Sequence, residues 1–475
     1  MLFSSILFIF YFLSAVLILY YASAWSRTLQ NAVLLVASLL FYAWVQPAYA
    51  VMVLGFIGVM YGIGLMMFRW DQKKELRKTA FVIGILSNVI LLIGFKYIAF
   101  LLEIVNGWLP RKSQLVIPSV LVPIGISFFT LRGISYLTDV YRKKVAVQKS
   151  FCCLGIYLVC FPVLIAGPIV KYEGMESQLL FRKESMAKFG VGSSRFIVGL
   201  SKCVLIGSTM GTVVDRIFSM HQQGEVAVTL AWVGIIAFAL QIYYEFSGYS
   251  DMAIGLSLLF GFKLEENFNY PYIAKSVGEF WRRWNMSLDV WFRDYVYLPL
   301  GGSRVRNKDI MVRNILIVWL LTGVWYGAEW TFLFWGLWNF TVYSMEELFR
   351  LGEQKIPNVI RHGYTLVAIL IGMVLFRCAN LVEAGQYIGA LFGTSAGGVL
   401  SPMAWMFVKE NAVWFLVGIL FCTPVARKTN KYLSEEKSGT IVFEILYPIV
   451  IGGVFLLCLC YIVKGIRPPF SYFGF

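Results

Sequence analysis

Long apolar runs separated by short polar stretches recur along the whole chain. Most of them approach the roughly 20 residues that an α-helix needs to cross the hydrocarbon core of a bilayer. The runs lie at residues 2–21, 31–46, 48–67, 80–102, 116–137, 151–170, 193–212, 226–260, 310–348, 363–377, 411–425 and 441–463. If the two longest runs are broken pairs, the pattern predicts about 11 to 13 membrane helices.

The composition excludes a water-soluble globular protein. Of the 475 residues, 59% are hydrophobic and only 14% are charged, and the mean hydropathy is +0.73. This is more apolar surface than one water-solvated core could bury. Since no polar stretch is long enough to fold alone, we predict an all-α polytopic protein with a single membrane domain over residues 1–475. The first run has no basic n-region, which indicates a retained helix rather than a signal peptide.

The distribution of basic residues predicts the orientation. Lys and Arg outnumber Asp and Glu by 41 to 26, which gives a net charge of +15. Two early loops, 69–78 and 142–144, are rich in Lys and Arg, and the positive-inside rule places both in the cytoplasm. Counting back puts Met1 on the extracytoplasmic side of a plasma or inner membrane. The charge thus indicates topology rather than nucleic-acid binding, and it would also attract anionic lipid or an acidic carrier.

Cysteine and histidine give no sign of a metal site. The eight cysteines show no zinc-type spacing, and we expect them to be small buried hydrophobes. His221 and His362 are the only histidines in the sequence. Both fall in short polar stretches, so we expect solvated loop residues.

The polar segment 278–295 predicts one amphipathic helix. Glu279 with Arg283, and Asp289 with Arg293, are spaced i, i+4 with the acid first, which is the favourable order. The apolar stripe of this helix consists of Phe280, Trp284, Leu288, Trp291 and Tyr295. Such a helix lies at the membrane interface or lines a hydrated cavity. The alternative is a purely interfacial anchor.

Two carboxylates interrupt the apolar run 226–260. Glu245 and Asp251 would each cost several kcal/mol at bilayer depth unless they are paired or hydrated. They therefore indicate a hydrated interior site. The alternative is that an arginine such as Arg283 or Arg293 pairs with them only to hold helices together.

A third polar stretch, 322–332, places Trp325, Tyr326 and Glu329 between apolar runs, with glycines on both sides. Glycine there permits close helix packing or an unwound turn beside a cavity. Taken alone, these aromatic residues are also typical of the belts at each membrane face.

In this order, these segments resemble the membrane-bound O-acyltransferase family, and specifically its bacterial branch with alginate O-acetyltransferases and teichoic-acid D-alanyl transfer proteins. The similarity covers nearly the whole chain. It includes Pro123-Ile124-Gly125-Ile126-Ser127-Phe128-Phe129, Phe246-Ser247-Gly248-Tyr249-Ser250-Asp251-Met252, Arg293-Asp294-Tyr295, and the segments 41–44, 136–142, 166–170, 266–269 and 469–475.

The resemblance implies a ring of membrane helices with re-entrant or interfacial helices around a central tunnel. An acyl donor, an acyl-CoA or an acyl carrier protein thioester, would enter from the cytoplasm as a substrate, with no bound cofactor. The acceptor would be hydroxyls of an exported or cell-surface polysaccharide, with an extracytoplasmic esterase-like protein completing the transfer. The residues expected to line the tunnel or bind substrate are Ser247, Asp251, Trp281, Arg283, Trp284, Arg293, Asp294 and Trp325.

The chain departs from the family at both expected histidines. The histidine of a Gly-x-Trp-His-Gly motif is replaced by Tyr326, and a second one after Arg-Arg-Trp is replaced by Asn285. Imidazole titrates near pH 6.5, whereas a phenol titrates near pH 10 and an amide does not titrate. Glu329, which would share a helix face with Tyr326, and Glu245 are candidate substitute bases.

Two function classes stay open. The first is an O-acyltransferase that uses these substitutes. The second is a catalytically degenerate, non-catalytic component that binds acyl groups or glycan in a cell-envelope modification complex. A transporter would usually show paired or inverted repeats, and the sequence shows none.

Overall fold

The computed structural model describes residues 2–224, 226–302, 308–349, 354–394, 397–429, 437–465 and 467. Within these ranges the fold is all-α, with 77% helix and no strand. The predicted fold class is thereby confirmed. The C-terminal motif 469–475 lies outside the described residues.

Eight helices in the described ranges are long and apolar enough to cross a membrane, or nine if a pair bent by 71° counts as one span. The eight are Arg27–Val45, Pro47–Arg69, Lys74–Trp108, Met186–Gln223, Val228–Leu259, Lys308–Tyr326, Asn358–Arg377 and Ile445–Val463. The number is below the expected 11 to 13 because several apolar runs form shorter helices. The run 151–170, for example, is helical only over Phe151–Val163.

The two longest runs behave differently. The run 226–260 is one continuous helix, Val228–Leu259, so the expected break is absent there. The run 310–348 does break, between helices that end at Tyr326 and begin at Trp330. Both helices there have 19 residues, close to the length that a single span needs.

The structure contains two compact units. The first comprises the described residues of Met1–Ser193 with Ala253–Glu265. Its helices are α1 (Leu13–Ala22), α2 (Arg27–Val45), α3 (Pro47–Arg69), α4 (Lys74–Leu92), α5 (Ile98–Trp108), α6 (Ile126–Tyr141), α7 (Phe151–Val159), α8 (Tyr172–Phe181) and the first part of α9 (Met186–Ser201). Local signals set their starts: Ser26 caps α2, and Pro47 is the first residue of α3.

Aromatic rings and one ionic cluster hold the first unit together. The rings of Phe12 and Phe161 meet edge to face at 5.4 Å. Arg27 pairs with Glu184 at 2.5 Å, and the Tyr20 hydroxyl donates to the same carboxylate at 2.5 Å. The Glu184 carboxylate has little access to water. It is retained in an apolar unit because Arg27 and Tyr20 satisfy its hydrogen-bonding capacity.

The second unit comprises the described residues of Ser194–Met252 and of Glu266–Gly474. Its helices are α10 (Ser208–Gln223), most of α11 (Val228–Leu259), α12 (Val277–Trp281), α13 (Met286–Phe292), α14 (Lys308–Tyr326), α15 (Trp330–Leu348), α16 (Asn358–Arg377), α17 (Leu381–Leu391), α18 (Pro402–Glu410), α19 (Ala412–Phe421) and α20 (Lys437–Val463). The candidate site lies within this unit.

Glycines bring α14 and α15 into close contact. A Cβ on Gly323 would lie 2.5 Å from the carbonyl oxygen of Phe332, and one on Gly336 would lie 2.6 Å from the carbonyl oxygen of Trp319. No larger residue fits at these positions without separating the helices. This crossing places the Tyr326 end of α14 beside Trp335 of α15, with ring centroids 5.2 Å apart.

The segment 278–295 is not the single helix that its pattern predicts. It forms the end of α12, a turn at 282–285, then α13, followed by a π-helical turn at Arg293–Tyr297. Asn285 interrupts the helix because its backbone is left-handed, with φ of 46°, a conformation that Asn tolerates better than most residues. The break interrupts the predicted apolar stripe. The turn at 282–285, hereafter the corner, joins α12 to α13.

Both histidines lie on helices rather than in loops, so the loop prediction is wrong. His221 is near the end of α10, against the ring of Tyr387 at 5.0 Å. His362 is on α16, where its Nδ1 lies 2.9 Å from the carbonyl oxygen of Ala274. The polar residues that flank each histidine belong to helix ends, and a sequence pattern alone does not distinguish helix ends from loops.

Candidate functional site

The corner between α12 and α13 is held by asparagines of the preceding loop. The Asn267 carbonyl oxygen accepts from Met286 N at 2.9 Å, and its side chain accepts from Ser287 N at 3.0 Å. Asn269 N donates to the Arg283 carbonyl oxygen at 2.9 Å. The Asn267 bonds satisfy backbone donors at the start of α13 and so fix the position of Asn285.

Asn285 and Tyr326, the two positions where histidine is expected, contact each other. The Asn285 Nδ2 donates to the Tyr326 hydroxyl oxygen at 3.3 Å. The side chain of Trp284 also hydrogen-bonds this hydroxyl, and indole N–H can only donate. The phenol oxygen is therefore held by two N–H donors from the corner.

This contact lies on the wall of a cavity of about 280 Å³. The cavity is lined by residues of α12, the corner, α13, α14 and α15, which include Trp281, Arg282, Trp284, Asn285, Leu288, Asp289, Phe292, Arg293, Tyr297, Trp319, Thr322, Tyr326 and Tyr343. Its wall consists mostly of aromatic and aliphatic residues with a few polar groups, as is typical of a small-molecule site.

A second cavity, of about 20 Å³, shares part of its wall with the first. Trp281, Trp284 and Tyr326 line both cavities. The remaining wall of the small cavity is apolar apart from Asn339 and consists of Ile242, Phe246, Phe280, Trp335, Ile369, Met373 and Phe376. About 15 Å³ is enough for one water molecule, so this space fits a group of one or two heavy atoms.

Charged groups on the large cavity come from the corner, from α13 and from the π-helical turn that follows it. Arg282, Asp289 and Arg293 line it. Burial raises the pKa of the Asp289 carboxyl, and the positive charges of Arg293 and Arg282 act in the opposite direction. The Asp289 side chain nevertheless remains exposed on the cavity side.

Two buried polar groups orient the corner from α15. Glu346 accepts from the backbone N–H groups of Val277 and Gly278, at 2.7 and 3.0 Å, at the start of α12. Asn339 accepts from the Trp281 Nε1 at 3.1 Å, which fixes an indole that lines both cavities.

Of the predicted catalytic residues, Glu329 does not share a helix face with Tyr326. Helix α14 ends at Tyr326, and Glu329 is an extended, exposed residue that precedes α15. The prediction fails because it assumed a continuous helix through Gly327. Glu329 lines neither of the two cavities.

Glu245 is fully buried on α11 but is not on the wall of either cavity. It accepts from Gln241 at 3.1 Å and pairs with Arg467 at 3.3 Å. Arg467 also pairs with Asp215 at 2.5 Å. The alternative of an arginine partner thus holds for Glu245, with Arg467 in place of Arg283 or Arg293.

Asp251 is likewise paired, with Arg195 at 2.7 Å and Lys202 at 2.6 Å. Arg195 also contacts Glu266. These four side chains form an ionic cluster that satisfies Asp251 by charge rather than by an open cavity. The alternative of an arginine partner thus also holds for Asp251, with Arg195 in place of Arg283 or Arg293.

The other predicted tunnel residues divide into two groups. Trp281, Trp284 and Arg293 line the large cavity, whereas Ser247, Arg283, Asp294 and Trp325 line neither cavity. Arg283 forms the predicted pair with Glu279, at 2.8 Å. Arg293 pairs with the adjacent Asp294 at 3.0 Å, not with Asp289 as its spacing predicted.

Sequence reasoning missed Trp319, Thr322, Asn339, Tyr343 and Glu346. A signal was present, because Trp319 and Thr322 lie seven and four residues before Tyr326 and so share its face of α14. Likewise Asn339, Tyr343 and Glu346 follow an i, i+4, i+7 pattern on α15. Polar and aromatic residues at this spacing on two adjoining apolar helices indicate a shared interior face.

The chain is similar in sequence to known proteins over most of its length. The model of MBOAT, the membrane-bound O-acyltransferase family, matches residues 89–383. The chain is 37% identical over 395 residues to a probable alginate O-acetylase of Pseudomonas syringae pv. tomato, a match covering 82% of this chain and 75% of that protein.

Two further relatives match over different lengths. A peptidoglycan O-acetyltransferase of Helicobacter pylori is 29% identical over 497 residues, covering 98% of this chain and 88% of that protein. A teichoic acid D-alanyltransferase of Bacillus subtilis is 26% identical over 264 residues, covering 54% of this chain and 66% of that protein.

Proposed function

Because this chain belongs to the membrane-bound O-acyltransferase family, we propose that it transfers an acyl group from a thioester donor to hydroxyls of an exported or cell-surface polysaccharide. The observation that carries the proposal is the cavity of about 280 Å³ whose wall holds Asn285, Tyr326 and the charged groups of α13. The relatives' names, which specify alginate, peptidoglycan and teichoic acid, support a polysaccharide acceptor.

The role that the geometry supports for Tyr326 is that of a hydrogen-bond donor. Its oxygen accepts N–H donors from Asn285 and Trp284. A phenol held in this way would offer its own proton to the carbonyl oxygen of the thioester, where negative charge develops as a hydroxyl attacks. With an ordinary pKa near 10, a phenol serves this role better than that of a base at neutral pH.

The small cavity supports a short acyl group. A thioester carbonyl placed beside Tyr326 would direct its acyl group into the space of about 20 Å³ and leave the rest of the donor in the large cavity. That space fits a methyl group and little more. We therefore propose acetyl as the group transferred.

The proposed setting is a plasma or inner membrane with the N-terminus on the extracytoplasmic side. Chain orientation rests on the basic loops 69–78 and 142–144. The donor, an acyl-CoA or an acyl carrier protein thioester, would enter from the cytoplasm, and an esterase-like partner outside would complete delivery. Alkaline phosphatase fused after residue 46 should be active, and the same fusion after residue 73 should be inactive; the reverse pattern would refute the orientation.

The experiment that tests the function uses purified protein in lipid nanodiscs. Acetyl-CoA is supplied together with alginate, peptidoglycan fragments or teichoic acid, and release of free thiol is followed with a thiol-reactive dye. Ester formation on each acceptor is measured by mass spectrometry. Empty nanodiscs provide the background rate.

We expect thiol release that depends on an acceptor and matches the ester formed. If neither is found with any acceptor, alone or with an extracytoplasmic partner, the transferase proposal is refuted. If such an inactive protein still binds the donor or the glycan with measurable affinity, it is a non-catalytic component. The replacement of both family histidines is compatible with that role as well.

A further inference from the structure

We propose that Asp289 is the general base that activates the acceptor hydroxyl, an inference that rests on the proposed transferase function. Transfer to a hydroxyl requires a group that accepts its proton. Tyr326 and Asn285 cannot do so at neutral pH, since a phenol is protonated and an amide does not titrate. The site therefore needs a base elsewhere on the same wall.

Asp289 lines the cavity that Tyr326 and Asn285 share. Among the described residues lining this cavity, it is the one carboxylate. It lies one helical turn after Asn285, and its backbone N–H donates to the Asn285 carbonyl oxygen at 3.3 Å. The corner that places Asn285 against Tyr326 thus also fixes Asp289.

The alternative carboxylates are placed wrongly for this task. Glu245 and Asp251 are each bound to basic side chains, and neither lines the cavity. Glu346 does not line the cavity, and its two oxygens accept the backbone N–H groups that begin α12. Glu329 is exposed beyond the end of α14.

The surroundings of Asp289 suit a base. Arg282 and Arg293 face it with positive charge, whereas the neighbouring Asp294 opposes its ionisation. From α15, the phenol of Tyr343 also lies within electrostatic range. Burial raises the pKa of the carboxyl, the positive charges of Arg293 and Arg282 oppose the rise, and the ionised carboxylate is the form that accepts a proton.

The proposed step is balanced without any further reactant. The Asp289 carboxylate takes the hydroxyl proton as the acceptor oxygen bonds to the thioester carbonyl carbon. Collapse of the intermediate restores the carbonyl and breaks the carbon–sulfur bond. The departing thiolate then takes the proton from Asp289, which leaves an ester, a free thiol and the original carboxylate.

The test compares Asp289→Asn, Asp289→Glu and Glu347→Gln in nanodiscs with acetyl-CoA and the best acceptor. Glu347 is an exposed carboxylate on α15 that lines neither cavity, so it is a matched control. We expect Asp289→Asn to lower kcat by about 10²-fold or more with little change in the donor KM. Asp289→Glu should recover part of the rate, and Glu347→Gln should keep it.

The pH dependence separates a base from a structural residue. In the unmodified protein, kcat/KM should rise with pH on an acidic limb, and that limb should be absent in Asp289→Asn. Should the asparagine variant fail to fold, a displaced acidic limb in Asp289→Glu supports the role and an unchanged limb refutes it. An active protein whose Asp289→Asn variant keeps its rate within threefold refutes the base while leaving the transferase intact. An inactive unmodified protein refutes both.

Discussion

The side-chain amide of Asn285 donates to the phenol oxygen of Tyr326 at 3.3 Å, which joins the corner after α12 to the end of α14. The two residues lie 41 positions apart in the sequence. Their contact exists because asparagines of the preceding loop hold the corner and glycines let α14 approach α15. The pair thus occupies the positions of both expected histidines with a neutral hydrogen bond.

The first prediction concerns the Tyr326 hydroxyl. Tyr326→Phe keeps the ring but removes the group that would donate to the thioester carbonyl oxygen. Loss of one such donor typically lowers kcat by about 10²- to 10³-fold, and we expect this range, measured by thiol release. Tyr364→Phe is the control, since Tyr364 is a 40% exposed residue of α16 that lines neither cavity. Equal rates for both variants would contradict the role of Tyr326.

The second prediction concerns acyl length. Met373 on α16 lines the small cavity, and Met373→Ala would enlarge that cavity. One methylene in a tight apolar pocket is worth about 10- to 200-fold, so the unmodified protein should prefer acetyl-CoA over propionyl-CoA by about that factor. The variant should reduce the preference to about threefold or less.

Thermal unfolding of the same variant in detergent distinguishes a change in specificity from a loss of stability. This control is needed because a buried Met→Ala change commonly lowers the free energy of unfolding by about 2–5 kcal/mol. Met345→Ala, on the exposed surface of α15, is the matched control and should keep the preference for acetyl. A Met373→Ala protein that is folded and still excludes propionyl would show that the cavity does not select the acyl group.

The third prediction concerns the crossing of α14 and α15. The Cβ added by Gly336→Ala would lie 2.6 Å from the carbonyl oxygen of Trp319, a backbone atom that cannot rotate away. The helices must separate, and we expect a destabilisation of about 1–3 kcal/mol together with reduced transfer, because Trp335 and Trp319 shift beside the cavity. Gly363→Ala, where nothing lies within 4 Å of the new Cβ, should leave the melting temperature unchanged or raise it.

The fourth prediction concerns acid stability of the first unit. Burial alone would raise the pKa of Glu184, but hydrogen bonds from Arg27 and Tyr20 outweigh it and hold the pKa at about 2, against an ordinary value of 4.5. A depressed carboxyl pKa stabilises the fold above the unfolded value, and this stabilisation is lost as pH falls from about 4.5 to about 2.

Glu184→Gln should therefore lower the stability of the first unit at pH 7 by about 1–2 kcal/mol, allowing for partial exposure of the pair. Circular dichroism melts at pH 7, 4.5 and 3 should show the difference from the unmodified protein shrinking with acidification. A difference that stays constant over this range would exclude Glu184 as its source. Glu173→Gln, at an exposed position of α8, is the control.

The site could be predicted only in part. The resemblance identified Tyr326 and Asn285, and the structure brings them together. Glu329 was a wrong candidate because the spacing rule requires one continuous helix, whereas α14 ends at Tyr326. The sequence predicted Asp289 only as the partner of Arg293 in an ion pair. The helical periodicity predicted one helix through Asn285 and gave no sign of the left-handed turn there.

The sequence by itself determined that this is an all-α membrane protein, because an apolar run long enough to span a bilayer must satisfy its backbone as helix. Its motifs determined that it belongs to the O-acyltransferase family. The sequence also determined that no imidazole stands at either family position. Only the tertiary structure decided which polar groups share a cavity. Whether a carboxylate pairs with basic side chains away from the cavities, as Glu245 and Asp251 do, or lines the large cavity, as Asp289 does, depends on contacts between residues far apart in the chain, and no local pattern encodes these contacts.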